Sequence, residues 1–84
     1  MMDSIAEGKV ETMSQLDARG GEHRIRVVVY RNAGSELFQW IWAEPIGDIT
    51  GGAIASGGCG GRTYATAEEA RSSAATSYRR HYNG

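Results

Sequence analysis

Phe38, Trp40 and Trp42 alternate within Glu36-Leu37-Phe38-Gln39-Trp40-Ile41-Trp42-Ala43. Side chains two apart share one face of a strand, so this spacing puts three large rings on the same side of a sheet. Such a face must be covered. The segment best suited to cover it is the small-residue stretch Thr66-Ala67-Glu68-Glu69-Ala70 through Ala74-Ala75. Thr66 and Glu69 have the spacing of a capping box, which predicts a helix from Thr66 to about Tyr82. Its inward stripe reads Ala67, Ala70, Ala74, Ser77 or Tyr78, and His81. Small helix residues allow close approach to bulky rings, filling the interior at the density of an organic crystal.

The rest of the chain supplies the other strands. Val27-Val28-Val29-Tyr30 gives His23 to Arg31 strong β-propensity. Asn32-Ala33-Gly34-Ser35 is turn chemistry, so Glu36 to Glu44 returns antiparallel, and Pro45 ends it by removing a ladder donor. A longer connection from Ile46 to Gly52 leads to a short third strand over Gly52-Ala53-Ile54-Ala55-Ser56. Gly57-Gly58-Cys59-Gly60-Gly61 reads as a plain loop. It has neither the Gly-Lys-Ser/Thr ending of a phosphate-binding loop nor a dinucleotide fingerprint.

Residues 1–22 carry Asp3, Glu7, Glu11, Asp17 and Glu22 against Lys9 and Arg19. Val10, Met13 and Leu16 or Asp17 recur at spacings of three there, and Gly20-Gly21 closes the segment. The reading is a flexible N-terminal arm over 1–22, ordered at most transiently or on a partner. The domain proper is then 23–84. The fold class expected is α+β: a three-stranded antiparallel sheet with one C-terminal helix packed on one face, a β-β-β-α two-layer sandwich.

That alternation has a functional consequence. The sheet face away from the helix carries Arg24, Arg26, Val28 and Tyr30 from one strand, and Leu37, Gln39, Ile41 and Ala43 from the next. In a chain of 84 residues nothing is left to cover it. An uncovered face holding Val28, Tyr30, Leu37 and Ile41 marks a contact surface. The expected partner-binding residues are therefore Arg24, Arg26, Val28, Tyr30, Leu37, Gln39 and Ile41.

Chemistry is harder to find. Cys59 with His23 or His81 lacks a third group to orient the base, so no catalytic residues are expected. A single cysteine excludes an internal disulfide and a Cys-rich zinc site, and neither metal nor cofactor is expected. Nine Lys and Arg against ten Asp and Glu leave a net charge of −1, without the basic excess of a nucleic-acid binder. Tyr30 is the lone aromatic residue on the open face, which also argues against base stacking there. No apolar run is long enough for a membrane span, and Met-Met-Asp lacks the features of a secretory signal. A cytoplasmic, reducing location is the expectation.

The hairpin Val27-Val28-Val29-Tyr30-Arg31 through Phe38-Gln39-Trp40-Ile41-Trp42, then Ala53-Ile54-Ala55-Ser56, a Gly-rich turn, a Tyr and an Ala-rich helix resemble the YegP-like family of small β-β-β-α proteins. The likeness spans about residues 25–82. Gln39 and Ile41 stand where family members carry basic residues beside the central Trp. The resemblance implies the fold and brings no established chemistry. Together these readings lead to a non-enzymatic interaction module that homodimerises or binds a partner protein through the open sheet face. The alternative is a small phage or mobile-element inhibitor or accessory protein of a nucleic-acid machine.

Overall fold

The computed structural model describes residues 5–46 and 52–83, with side chains described from residue 8 onward. Four strands, β1 (Ile5–Leu16), β2 (Glu22–Asn32), β3 (Phe38–Pro45) and β4 (Ala53–Gly58), precede one helix, α1 (Ala67–Asn83). The strands pair in chain order, β1-β2-β3-β4, and every pairing is antiparallel. The class is α+β with α1 on one face of the sheet, as expected. The strand count is four, not three.

The added strand is the segment read as a flexible arm. Its ladder with β2 runs from Ile5↔Asn32 to Leu16↔Glu22. An Asx turn closes this hairpin: Asp17 Oδ1 accepts from the amides of Arg19 at 2.9 Å and Gly21 at 2.8 Å. Gly20 supplies the positive φ of 84° that the reversal requires. The period-two signal was hidden because the covered face of β1 carries Lys9, Glu11, Met13 and Gln15, only one of them apolar. Glu11 substitutes an ion pair for apolar burial, meeting Arg71 of α1 at 3.0 Å. Residues 1–4 of the arm and 47–51 of the expected loop lie outside the described residues.

The core follows the aromatic alternation. Register pairs Val27 with Trp42 and Val29 with Trp40, so these four share the covered face. With Ile25 they pack on Ala70, Ala74 and Tyr78 of α1, and all eight are buried. Phe38 sits at the rim, with the Arg31 guanidinium 5.4 Å from its ring centre. The helix starts as expected, the Glu69 amide donating to Thr66 Oγ1 at 3.1 Å. Its inward row departs from the expected stripe near the C-terminus. Tyr78 and Tyr82 continue the i, i+4 line of Ala70 and Ala74, while His81 is exposed.

Gly57 and Gly58 belong to β4 rather than to the following loop. Gly57 pairs with Trp42, and a Cβ there would come within 2.5 Å of the indole Nε1. That nitrogen donates to Ser77 Oγ at 2.9 Å, so the ring cannot retreat without breaking a bond to the helix. Glycine at 57 is thus a packing requirement of the Trp ladder.

Candidate functional site

The open sheet face is the expected contact surface, and the register shows how it is assembled. Val10↔Val28 and Val28↔Ile41 form one row across β1, β2 and β3. Val10 is 60% exposed and Ile41 47%, with Val28 half-buried between them. Tyr30 and Gln39 pair on one side of this row, and Arg26 and Ala43 on the other. Arg24 is exposed on the same strand face. Leu37 is exposed just before β3 begins. Among the described residues no helix or strand packs over this face. Val10 is absent from the expected contact residues because β1 lacks a clear apolar alternation. Ile54, 66% exposed on β4, is a further apolar residue on the same side.

Arg24 and Arg26 line an open depression of about 630 Å³ with Thr12, Glu22, Pro45 and Ile54. Glu22 places negative charge among the arginines. A surface of mixed sign with one tyrosine is poorly suited to track a phosphodiester backbone.

On the covered side, β1, β2, β3 and α1 converge on His23. Its Nε2 lies 2.8 Å from Asp17 Oδ2 and its Nδ1 3.0 Å from Glu44 Oε2. The Tyr82 hydroxyl donates to Glu44 Oε1 at 2.6 Å, and the Tyr82 ring stacks on the imidazole at 4.5 Å. An imidazolium satisfies both carboxylates as a double donor. Hydrogen bonding to Asp17, then to Glu44, raises the His23 pKa above its ordinary 6.5. The His23 contact, then the Gly21 and Arg19 amides, lowers that of Asp17. Burial pushes the Glu44 carboxyl up, but hydrogen bonds from Tyr82 and His23 outweigh it and the net shift is downward. Desolvation and the neighbouring Glu44 carboxylate push the Tyr82 phenol above its ordinary range.

Both ring nitrogens are engaged by carboxylates, which leaves neither to act as a base toward Cys59. Cys59 lines a different cleft, beside Arg62, Tyr64 and Arg80, and no histidine lines it. Among the described residues no group of His, Cys, Asp and Glu is arranged to hold a metal ion, and no helix is long and apolar enough to cross a membrane.

The His23 cluster is a clasp with a defined pH range. A raised His23 pKa gives stabilisation that is complete below 6.5 and is lost as pH climbs through the folded value. Lowered carboxyl pKa values give stabilisation that is complete above the ordinary 3.8 of Asp17 and 4.5 of Glu44, and is lost as pH falls through the folded values. The clasp therefore contributes most between about 4.5 and 6.5. Melting temperatures measured across this range and up to mildly alkaline pH should fall on the alkaline side. His23→Gln should flatten that fall. An equal alkaline decline in His23→Gln would place its origin elsewhere.

No protein-family model, no curated protein and no solved structure matches this chain.

Proposed function

We propose that the protein is a non-enzymatic interaction module whose open sheet face takes a second copy of the chain or a partner protein. The observation that carries this reading is the exposed Val10-Val28-Ile41 row, continuous across three strands and uncovered by any described element. Burying that row removes apolar area from water at about 25 cal/mol per Å². Arg24, Arg26, Tyr30 and Gln39 flank it with polar groups, the usual arrangement of an apolar centre and a polar rim. The edge strand β4 supports the same reading. It presents Ala53-Ile54-Ala55-Ser56-Gly57-Gly58 without a charge, whereas lone edges are commonly guarded by Lys, Glu or Pro. The likeness of residues 25–82 to the YegP-like proteins belongs with this proposal, since it implies a fold and no chemistry.

Sedimentation equilibrium at micromolar concentration tests the self-associating form. Wild type should populate a dimer, and Ile41→Arg should be monomeric with an unchanged melting temperature. A wild-type chain that remains monomeric throughout, matching Ile41→Arg, removes self-association.

A further inference from the structure

The second candidate surface lies along the β3–α1 boundary, away from the open face. After β4 the chain stays beside β3: the Cys59 amide donates to the Trp40 carbonyl, and Phe38 and Tyr64 exchange backbone hydrogen bonds at 2.7 and 2.9 Å. Residues 60–63 are looped out between these two attachments. Gly60 and Gly61 take φ of 63° and 87°, and the Arg62 amide closes the turn on the Cys59 carbonyl at 3.1 Å. Arg62 of this loop and Arg80 of α1 both line a cleft of about 510 Å³.

Donors dominate the lining. Neither Arg62 nor Arg80 forms an ion pair with a described carboxylate, and no Asp or Glu lines the cleft. Glu69 belongs to a neighbouring depression that shares Tyr64, Ser73 and Thr76 with this one. Ser77 Oγ accepts from the Trp42 indole, which leaves the Ser77 hydroxyl proton available. The Tyr64 and Ser73 hydroxyls lie 2.7 Å apart and share one hydrogen bond, so one of their two protons is also free. Trp40 is 4% exposed, and its indole N–H has no hydrogen-bond partner. A buried donor left unmade is costly, and one beside a cleft calls for an explanation. Hydrogen bonding to Ser73 is the largest of the effects that lower the Tyr64 pKa, and the charge of Arg62 acts in the same direction.

We propose that this cleft binds a phosphate group, with Arg62 and Arg80 as charged jaws, and the Ser77 hydroxyl and one hydroxyl of the Tyr64–Ser73 pair as the inner donors. A tetrahedral dianion suits the set. Guanidinium forks match phosphate oxygens in pairs, and the hydroxyls take the oxygens that remain. The buried Trp40 N–H, unpartnered and lining the same cleft, is the remaining donor. Free phosphate and a phosphomonoester offer the same chemistry to the cleft.

Titration of the labelled full chain with inorganic phosphate at constant ionic strength provides the test, read by nuclear magnetic resonance. The Trp40 indole signal and the Arg62, Ser73 and Ser77 amides should shift together and saturate by about 20 mM, the range of single-anion millimolar affinity. The Trp42 indole, already bonded to Ser77, should move less. R62Q/R80Q, altered only at exposed positions, should keep its indole dispersion and bind about tenfold or more weakly, since charge-assisted hydrogen bonds are lost. Tighter binding of O-phosphoserine than of inorganic phosphate supports a covalently carried phosphate; the reverse supports the free ion. Absence of a saturable shift, undiminished binding by R62Q/R80Q, or equal binding of acetate overturns the proposal.

Discussion

A chain lacking residues 1–16 should not fold under conditions where the full chain does. β1 spans 12 residues, and its ladder covers the edge of β2, the strand that contributes Ile25, Val27 and Val29 to the core. Cross-strand pairs contribute about 0.2–1 kcal/mol each, so a ladder of this length amounts to several kcal/mol. Truncation also removes Met13, which packs on the core and accepts from the Tyr78 hydroxyl, and Glu11, the partner of Arg71. At roughly 0.05–0.15 kcal/mol per residue, a domain of 84 residues has about 4–13 kcal/mol in total. The loss is of that order. Circular dichroism of the truncated chain should show no cooperative melt above room temperature. Retention of the wild-type melting temperature would mean that β1 is an accessory strand and that the core closes without it.

Trp42→Ala carries the second large effect. Trp42 is 2% exposed, pairs with Val27, covers Gly57 and donates to Ser77. Tyr78, His81 and Tyr82 surround its ring at centroid distances of 6.4, 5.4 and 5.9 Å. Removing a buried ring of this size costs about 3–5 kcal/mol, because the lost transfer energy adds to that of the cavity. Here the cavity opens between the sheet and the C-terminal half of α1, so Tyr82 and the His23 clasp should loosen with it. Chemical denaturation should show the loss of stability. The alkaline decline in melting temperature assigned to His23 should shrink in the same variant. A variant within about 1 kcal/mol of wild type would indicate that the site collapses readily and that the ladder is not the keystone of the core.

What could be read from the residues depended on how strictly they obey a period. The β2–β3 hairpin and its face assignment were legible because Val27, Val29, Trp40 and Trp42 alternate with more polar neighbours. The helix was legible from Thr66 and Glu69 and from its run of alanines. β1 was not, since its covered face meets the rim of α1, where Glu11 and Lys9 are tolerated and an ion pair replaces apolar contact. Its spacing of Val10, Met13 and Leu16 mimicked a helix while placing Met13 on the opposite face from the other two. The role of Gly57 depended on the Trp42 indole lying across it, a relation between strands that composition does not carry. Likewise, Asp17, His23, Glu44 and Tyr82 come from four separate elements or turns, and Arg62 lines a cleft with Arg80 only after the chain has looped out of β4. The expected contact residues Arg24, Arg26, Val28, Tyr30, Gln39 and Ile41 do share one face. Val10 extends it, and the charged pair lies toward the end bordered by Glu22.

Dilution followed by nuclear magnetic resonance tests the open face as the contact surface most directly. Spectra of the full chain recorded from millimolar to low micromolar concentration should show the amides of Val10, Val28, Tyr30 and Ile41 moving together. Signals of Ala70, Ala74 and Tyr78 on the covered side should stay in place. Concentration-dependent shifts confined to the exposed side of α1 or to the outer edge of β4 would contradict the assignment of the contact to the open face.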